Sequence, residues 1–474
     1  MSSSTPQPSG DRLKTREYIG YALGDTASNF FFQTFNIFLT YYYVDVWGIP
    51  ATALLWMLPI IRLFDAVNDP LMGLIADRTR TRWGKFRPYL LWGAIPYGIC
   101  GYLMFAGPDF GPTGKLVYAY ITYALMLMSY TVINVPYSSL LGVISPSSRT
   151  RTVASSFRFV GAFGGALLIS LFVRPLVKHL GADNEMQGFQ WTMAIFAVAS
   201  VVLFWITFAT TKERVKPPAG QKSDVIGELR ELVYNWPWIV LLIASILSTT
   251  FIALRSGSTV FYFKYVIGDD NAPLFHLLSL DFDRTTVFLS TGMLAQVVGT
   301  AGLGFFARRV DKKYAAAGLC AVTGVCFLMF YFLPTDRFAL LVVVNALGYL
   351  CMGPTSALTW ALYGDVADYG EWKFRRRSTG LIYSASLFSI KTGIMVGGFL
   401  LPLFLAGFGY VKNAEQSPTA LLGITLAFSI IPGVIALLKA GALLIYPLNQ
   451  KRVDEVEREL VSRRAAASPE VNPA

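Results

Sequence analysis

Asp65 and Asp69 stand in the run Ile61-Arg62-Leu63-Phe64-Asp65-Ala66-Val67-Asn68-Asp69-Pro70, which is otherwise apolar enough to cross a bilayer. A charge in lipid costs about 2.5 kcal/mol or more, so such groups face a cavity or a partner and mark function. On a helix, Asp65 and Asp69 are one turn apart and Arg62 falls on the same face. Two carboxylates, an amide (Asn68) and a guanidinium so placed suit the holding of a small cation inside a membrane. Thr131, in a later apolar run, has a hydroxyl oxygen that could be offered to a cation.

A second set of polar residues suits a sugar, whose hydroxyls need donors and acceptors while its C–H faces stack on rings. Gly24-Asp25-Thr26-Ala27-Ser28-Asn29 places Asp25, Ser28 and Asn29 about one turn apart, and Gln33 and Asn36 follow at helical spacing among Phe30, Phe31, Phe32 and Phe35. Tyr130, Asn134 and Ser138 recur every four residues as one stripe, and Pro136 frees a backbone carbonyl beside it. The bland alternative is helix–helix hydrogen bonding, common in membrane bundles. Arg158 must be paired or face a ligand. Lys391 lies too deep in an apolar run to reach the interface. There it would neutralise carboxylates when no cation is bound, or donate to a sugar hydroxyl. Asp77 and Arg78, and Asp365, Asp368 and Glu371 followed by Arg375-Arg376-Arg377, are candidates for coupling or for ion pairs closing the inner side. Solvated, topology-setting charge is the equal alternative for the Asp365–Arg377 set.

These residues need long apolar elements to hold them. Of 474 residues, 54% are hydrophobic and only 15% charged, with a mean hydropathy of +0.50. The apolar runs predict twelve transmembrane helices, at 19–44, 53–76, 88–107, 116–143, 154–175, 191–210, 237–264, 285–306, 314–333, 338–363, 379–406 and 419–446. With the N-terminus inside, the outward segments hold few basic residues, among them Lys178, Arg284, Arg337 and Lys412, so both termini are expected to be cytoplasmic. The net charge of +11 then belongs to inner loops beside anionic lipid headgroups, not to a nucleic-acid partner. The polar opening residues carry no cleavable signal pattern. Cys100, Cys320, Cys326 and Cys351 show no metal or redox spacing, and His179 and His276 fall in outward segments, which argues against a histidine proton relay.

The expected organisation is a tail (1–16), a six-helix bundle (17–210), a middle loop (211–235) with an amphipathic stretch from Val225 to Tyr234, a second bundle (236–446) and a tail (447–474). The halves echo each other. Gly73-Leu74-Ile75-Ala76-Asp77-Arg78 and Gly84-Lys85 in the first correspond to Gly304-Phe305-Phe306-Ala307-Arg308-Arg309-Val310-Asp311 in the second. This is the layout of the major facilitator fold, two six-helix halves around a central cavity with substrate near the midplane.

Six stretches then match a family. They are Gly24–Asn29, Tyr41-Tyr42-Tyr43-Val44-Asp45, Asp65–Pro70, Arg82-Trp83-Gly84-Lys85-Phe86-Arg87-Pro88, Asn134-Val135-Pro136-Tyr137 and Asp368-Tyr369-Gly370-Glu371-Trp372-Lys373. The chain resembles the glycoside–pentoside–hexuronide:cation symporters, the melibiose permease-like group, over nearly all of 17–446. The resemblance implies a cation site at Asp65, Asn68, Asp69 and Thr131, with Asp65 and Asp69 binding Na+ if sodium is the coupling ion. It implies a sugar site at Ser28, Asn29, Tyr130, Asn134, Ser138, Arg158 and Lys391. Against melibiose permease, amides (Asn29, Asn134) replace the two sugar-gripping carboxylates, Ser28 replaces a lysine, Ser138 replaces a tryptophan, and Trp360 sits one turn beyond the tryptophan of the tenth span.

The expectation is an inner-membrane, cation-coupled symporter of a sugar, glycoside or hexuronide, using Na+ or H+ and no cofactor, and working as a monomer by alternating access. An uncoupled sugar facilitator or a lysolipid-type facilitator of the same fold is the alternative. No nucleophile-elbow, metal or phosphate-loop motif suggests an enzyme.

Overall fold

The computed structural model describes residues 13–145, 148–182, 184–214, 232–268, 273–277, 280–306, 311–374 and 379–467. Most of the middle loop and Arg375–Arg377 fall outside the described residues, and so does the side chain of Asp77. The chain is almost wholly helical. Its first span is α1 (Thr15–Thr34), prolonged by π turns at Phe35–Leu39 and Tyr42–Val46. There follow α2 (Ala51–Arg78), α3 (Arg87–Trp92), α4 (Ala94–Leu103), α5 (Pro112–Val143), α6 (Ser148–Gly181) and α7 (Glu185–Thr210). The second half has α8 (Trp236–Phe261) with a π turn at Tyr262–Ile267, α9 (Arg284–Phe306), α10 (Lys312–Met329), α11 (Phe338–Phe374), α12 (Thr379–Gly407), α13 (Pro418–Phe428) and α14 (Ile430–Ile445). A final helix, α15 (Gln450–Ala467), is polar.

Two expected single helices are broken, each for a proline. Pro96 cannot donate to the carbonyl one turn back, at Trp92, and the third span divides there into α3 and α4. Pro432 likewise divides the twelfth span at Ser429 into α13 and α14. A small addition is a β-hairpin, β1 (Phe275–Leu277) antiparallel to β2 (Leu280–Phe282), in the segment before α9. Among the described residues, eight helices are long and apolar enough on their own to span a membrane. Large apolar side chains such as Trp56, Val160 and Val198 point outward, as a lipid-facing surface requires.

The chain forms two compact units. One holds residues 1–220, 256–293 and 399–424; the other holds 221–255, 294–398 and 425–474. In the first, α1 packs most heavily on α6 and α7, and α2 on α5. Small residues permit the approach: a Cβ on Gly161 would stand 2.2 Å from the carbonyl oxygen of Ala22, and one on Gly165 would stand 2.9 Å from that of Thr26. In the second unit α10 packs on α14 and α11. There Lys312 pairs with Asp365 at 2.9 Å. α15 covers the end of α11: Trp372 Nε1 donates to Glu459 at 2.6 Å, and Val456 and Leu460 are buried.

Candidate functional site

The pairing of α2 with α5 places the two sets of polar residues side by side in the first unit. Thr131 Oγ1 lies 2.9 Å from Asp65 Oδ1 and 2.8 Å from Asp69 Oδ1. Asp65 and Thr131 are buried, and Asp69, Asn68 and Arg62 are half-buried. Three oxygens thus converge, yet a hydroxyl has one hydrogen to donate. One of its two contacts therefore needs a proton on a carboxylate, or a cation among the three oxygens. Among the described residues no group of three or more His, Cys, Asp or Glu gathers as a metal site. This donor set suits a singly charged ion.

One turn away the second set is joined. Ser28 Oγ donates to Asn134 Oδ1 at 2.9 Å, Asn134 Nδ2 to the Tyr130 carbonyl at 3.1 Å, and Asn29 Nδ2 to the Asp25 carbonyl at 2.9 Å. Arg158 Nε bonds Asp25 Oδ2 at 3.0 Å, with its guanidinium 5.0 Å from the centre of the Tyr137 ring. Tyr137 is itself fixed: its hydroxyl donates to the Tyr21 carbonyl at 2.6 Å, and the two rings stack at 4.8 Å. Tyr130 stacks on Phe32 at 6.1 Å and is within electrostatic reach of Asp25, Arg158, Asp65 and Asp69. On α5, Thr131 thus bonds the carboxylate pair directly, while its neighbour Tyr130 lies between the two sets. Ser138 is half-buried on the same helix.

Lys391 is half-buried in the middle of α12, in the second unit. Asp365 is engaged by Lys312 of its own unit, and Asp368 lines a cavity of about 210 Å³ with Lys312, Asp365 and Gln450. Glu371 is half-buried near the end of α11, and Arg78 is exposed at the end of α2.

A matching sequence model covers residues 20–450 and describes the family as MFS/sugar transport protein. The chain belongs to that family. It is 36% identical to the putative glycoside/cation symporter YagG of Escherichia coli over 96% of each chain. It is 34% identical to the isoprimeverose transporter of Lactiplantibacillus pentosus, covering 94% of this chain and 90% of that one. The glucuronide carrier protein homolog of Escherichia coli is 33% identical, covering 96% and 97%. The chain is thus a multi-pass membrane transporter of the MFS sugar-symporter class, not an enzyme.

Within this MFS transporter, several placed charges had no role assigned to them from sequence. Lys439, in α14, is 1% exposed and donates to Ser248 Oγ at 2.9 Å. The signal that finds Asp65, a charge inside an apolar run, would have found it. Arg255 is also 1% exposed. Its Nη1 donates at 2.6 Å to the Phe428 carbonyl, the acceptor that Pro432 leaves without its helical donor. Rings of Phe327, Phe330 and Phe428 enclose the guanidinium at 4.0, 4.5 and 4.0 Å. Glu213, beyond α7, accepts from the backbone N–H groups of Lys85, Phe86 and Arg87 at 2.9, 2.8 and 3.0 Å. Arg214 pairs with Glu17 at 2.7 Å and bonds the carbonyls of Val143 and Ile144. Only three-dimensional pairing reveals these partners.

Proposed function

We propose that this protein is an inner-membrane symporter that couples entry of a glycoside to a singly charged cation, Na+ or H+, bound by Asp65, Asp69 and Thr131 with Asn68 nearby. Both termini are cytoplasmic. The observation that carries the reading is the single Thr131 hydroxyl within 2.9 Å of two carboxylates. The cation neutralises the pair and draws α5 toward α2, and α5 also bears Tyr130 and Asn134 of the sugar set. Sugar affinity rises with the cation bound, and cation affinity rises equally with sugar bound. Arg62 balances one carboxylate, and Lys391 contributes to sugar recognition or to the charge balance of the empty carrier. Asp77, Arg78, Asp368 and Glu371 are assigned to coupling and inner closure. The proposed halves meet after residue 210, at the middle loop.

Ser28, Asn29, Tyr130, Asn134, Ser138 and Arg158 are the proposed sugar contacts. Asp25 neutralises Arg158 across 3.0 Å, which favours a neutral glycoside as cargo. A hexuronide is the second reading, supported by the absence of further carboxylates among these contacts and by the name of one relative. Labelled neutral β-glycosides and glucuronides, offered to proteoliposomes under a sodium gradient or a proton gradient at fixed voltage, separate the readings. Accumulation under neither gradient removes the coupled mechanism. Asn134→Ala should abolish sugar uptake and leave cation binding in place; retained sugar affinity would remove Asn134 from the site.

A further inference from the structure

At the end of the first span away from its start at Thr15, the first unit has a second charged cluster that the sugar and cation sites do not use. Its centre is Asp45, in the π turn Tyr42–Val46, whose side chain is fully buried. Lys264 Nζ donates to its carboxylate at 2.7 Å, Tyr265 at 2.5 Å, and the Tyr410 hydroxyl also donates. Asn413 Nδ2 donates at 3.0 Å to the Asp45 carbonyl, and its Oδ1 accepts from Lys264 at 2.7 Å. Asn413 makes these bonds from a left-handed backbone, φ 51°, a conformation that non-glycine residues rarely adopt. Tyr41, beside this cluster, bonds Glu185 at 3.0 Å.

The cluster joins corresponding ends of the sequence repeats. Tyr42-Tyr43-Val44-Asp45-Val46 ends the first span in a π turn, and Tyr262-Phe263-Lys264-Tyr265-Val266 ends the seventh in another. Single π turns inside α-helices recur at functional positions, because the widened turn is a place where a helix can change course. A second tie runs alongside. Arg174 of α6 bonds Asp283 through Nε at 2.8 Å and Nη2 at 2.6 Å, and Lys178 pairs with Asp281 at 3.0 Å.

We propose that Asp45 is the hub of a gate on the outer side: with its donors in place the outer ends of the first and seventh spans are held shut, and release of Asp45 opens the route by which sugar enters. With both termini cytoplasmic, as proposed, this end of the first and seventh spans faces outward. A buried carboxylate with three donors is stable only with all of them, and separating the two π turns strips it of two at once. That makes the gate two-state. Asp45 acts on the sugar site through helix position, without touching sugar.

The test is sided labelling of full-length protein in oriented membrane vesicles, which needs no substrate. Gln33→Cys, half-buried in α1, is the reporter for a membrane-impermeant maleimide, and protein without it sets the background. Asp45→Asn should raise labelling from the outer face about tenfold, the change that follows loss of one charge-assisted hydrogen bond, and lower it from the inner face. Tyr410→Phe, which keeps the carboxylate, should give a smaller rise on the same face, and it carries the test if Asp45→Asn does not fold. Unchanged outer labelling in the folded variants, or an equal rise from both faces, overturns the gate. A rise confined to the inner face with normal glycoside uptake overturns the topology instead and leaves the hub intact.

Discussion

Thr131 shows how much one atom decides in this site. Its hydroxyl has one hydrogen and two carboxylate claimants. Thr131→Val keeps the shape and deletes the oxygen. The enhancement of sugar affinity by the cation, about 5–150-fold for couplings of this kind, should vanish in this variant and in Asp69→Asn. Titrating sugar binding with and without the cation checks it. Asp65 and Asp69 were legible from sequence because a charge in an apolar run has few reasons to be there, whereas Thr131 came from its place beside the Tyr130 stripe and from the family resemblance. Lys439 carried the same signal, but its partner did not, since one serine among many in α8 is unremarkable until packing selects Ser248. Ser248→Ala strips the buried ammonium of this bond, so a loss of about 1–3 kcal/mol is expected in thermal melts. Lys439→Met added to it should restore the loss. Equal melting of Ser248→Ala and the parent would remove the bond from the account.

At the scale of elements, two prolines and one glycine redirect the chain. Pro432 frees the Phe428 carbonyl and Arg255 takes it, so the break in the twelfth span and the charge on the seventh explain each other. Sequence shows each residue plainly and hides the relation, because the contact spans residues far apart in the chain. Hydropathy is blind to such breaks: an apolar run reads the same whether the helix is continuous, as in α5, or divided, as at Gly93. Gly84 is the clearest case of a required glycine. Its φ is +110°, and a Cβ would stand 2.4 Å from the Glu213 carboxylate. Gly84→Ala should therefore displace Glu213 from its three N–H donors and destabilise the protein more than Glu213→Gln, which keeps an acceptor. Melting temperatures of the purified variants rank the two.

For the whole molecule, the all-helical polytopic class and the family were readable from periodicity, loop charge and six short motifs. The outer cluster was not, because Asp45, Lys264 and Tyr410 each lie near a span end, where interfacial charge is ordinary. That end of the molecule also sets a pH limit. Burial by itself would raise the Asp283 carboxyl, but the Arg174 guanidinium and Thr286 donors outweigh it and hold Asp283 below the usual carboxylate range. A depressed carboxyl contributes stability above its unfolded value, about 4, and that contribution is lost as pH falls through the lower folded value. Stability should thus hold from neutral pH down to about 5 and decline below about 4 on this account. Arg174→Gln should melt lower than the parent at neutral pH, with a smaller further loss on acidification. Melting curves across that range are the check.

The hold of Lys85, Phe86 and Arg87 on Glu213, and of Glu17 on Arg214, also says where the chain tolerates surgery. Among the described residues before α8, the last one secured to the first bundle is not the end of α7 at Thr210 but Arg214. A protease site or fluorescent domain spliced in directly after Arg214 leaves every one of these bonds made. The same insert placed between Thr211 and Lys212 pulls Glu213 off its donors. Yield of folded protein from the two insertions should differ accordingly, though their splice points lie only three residues apart.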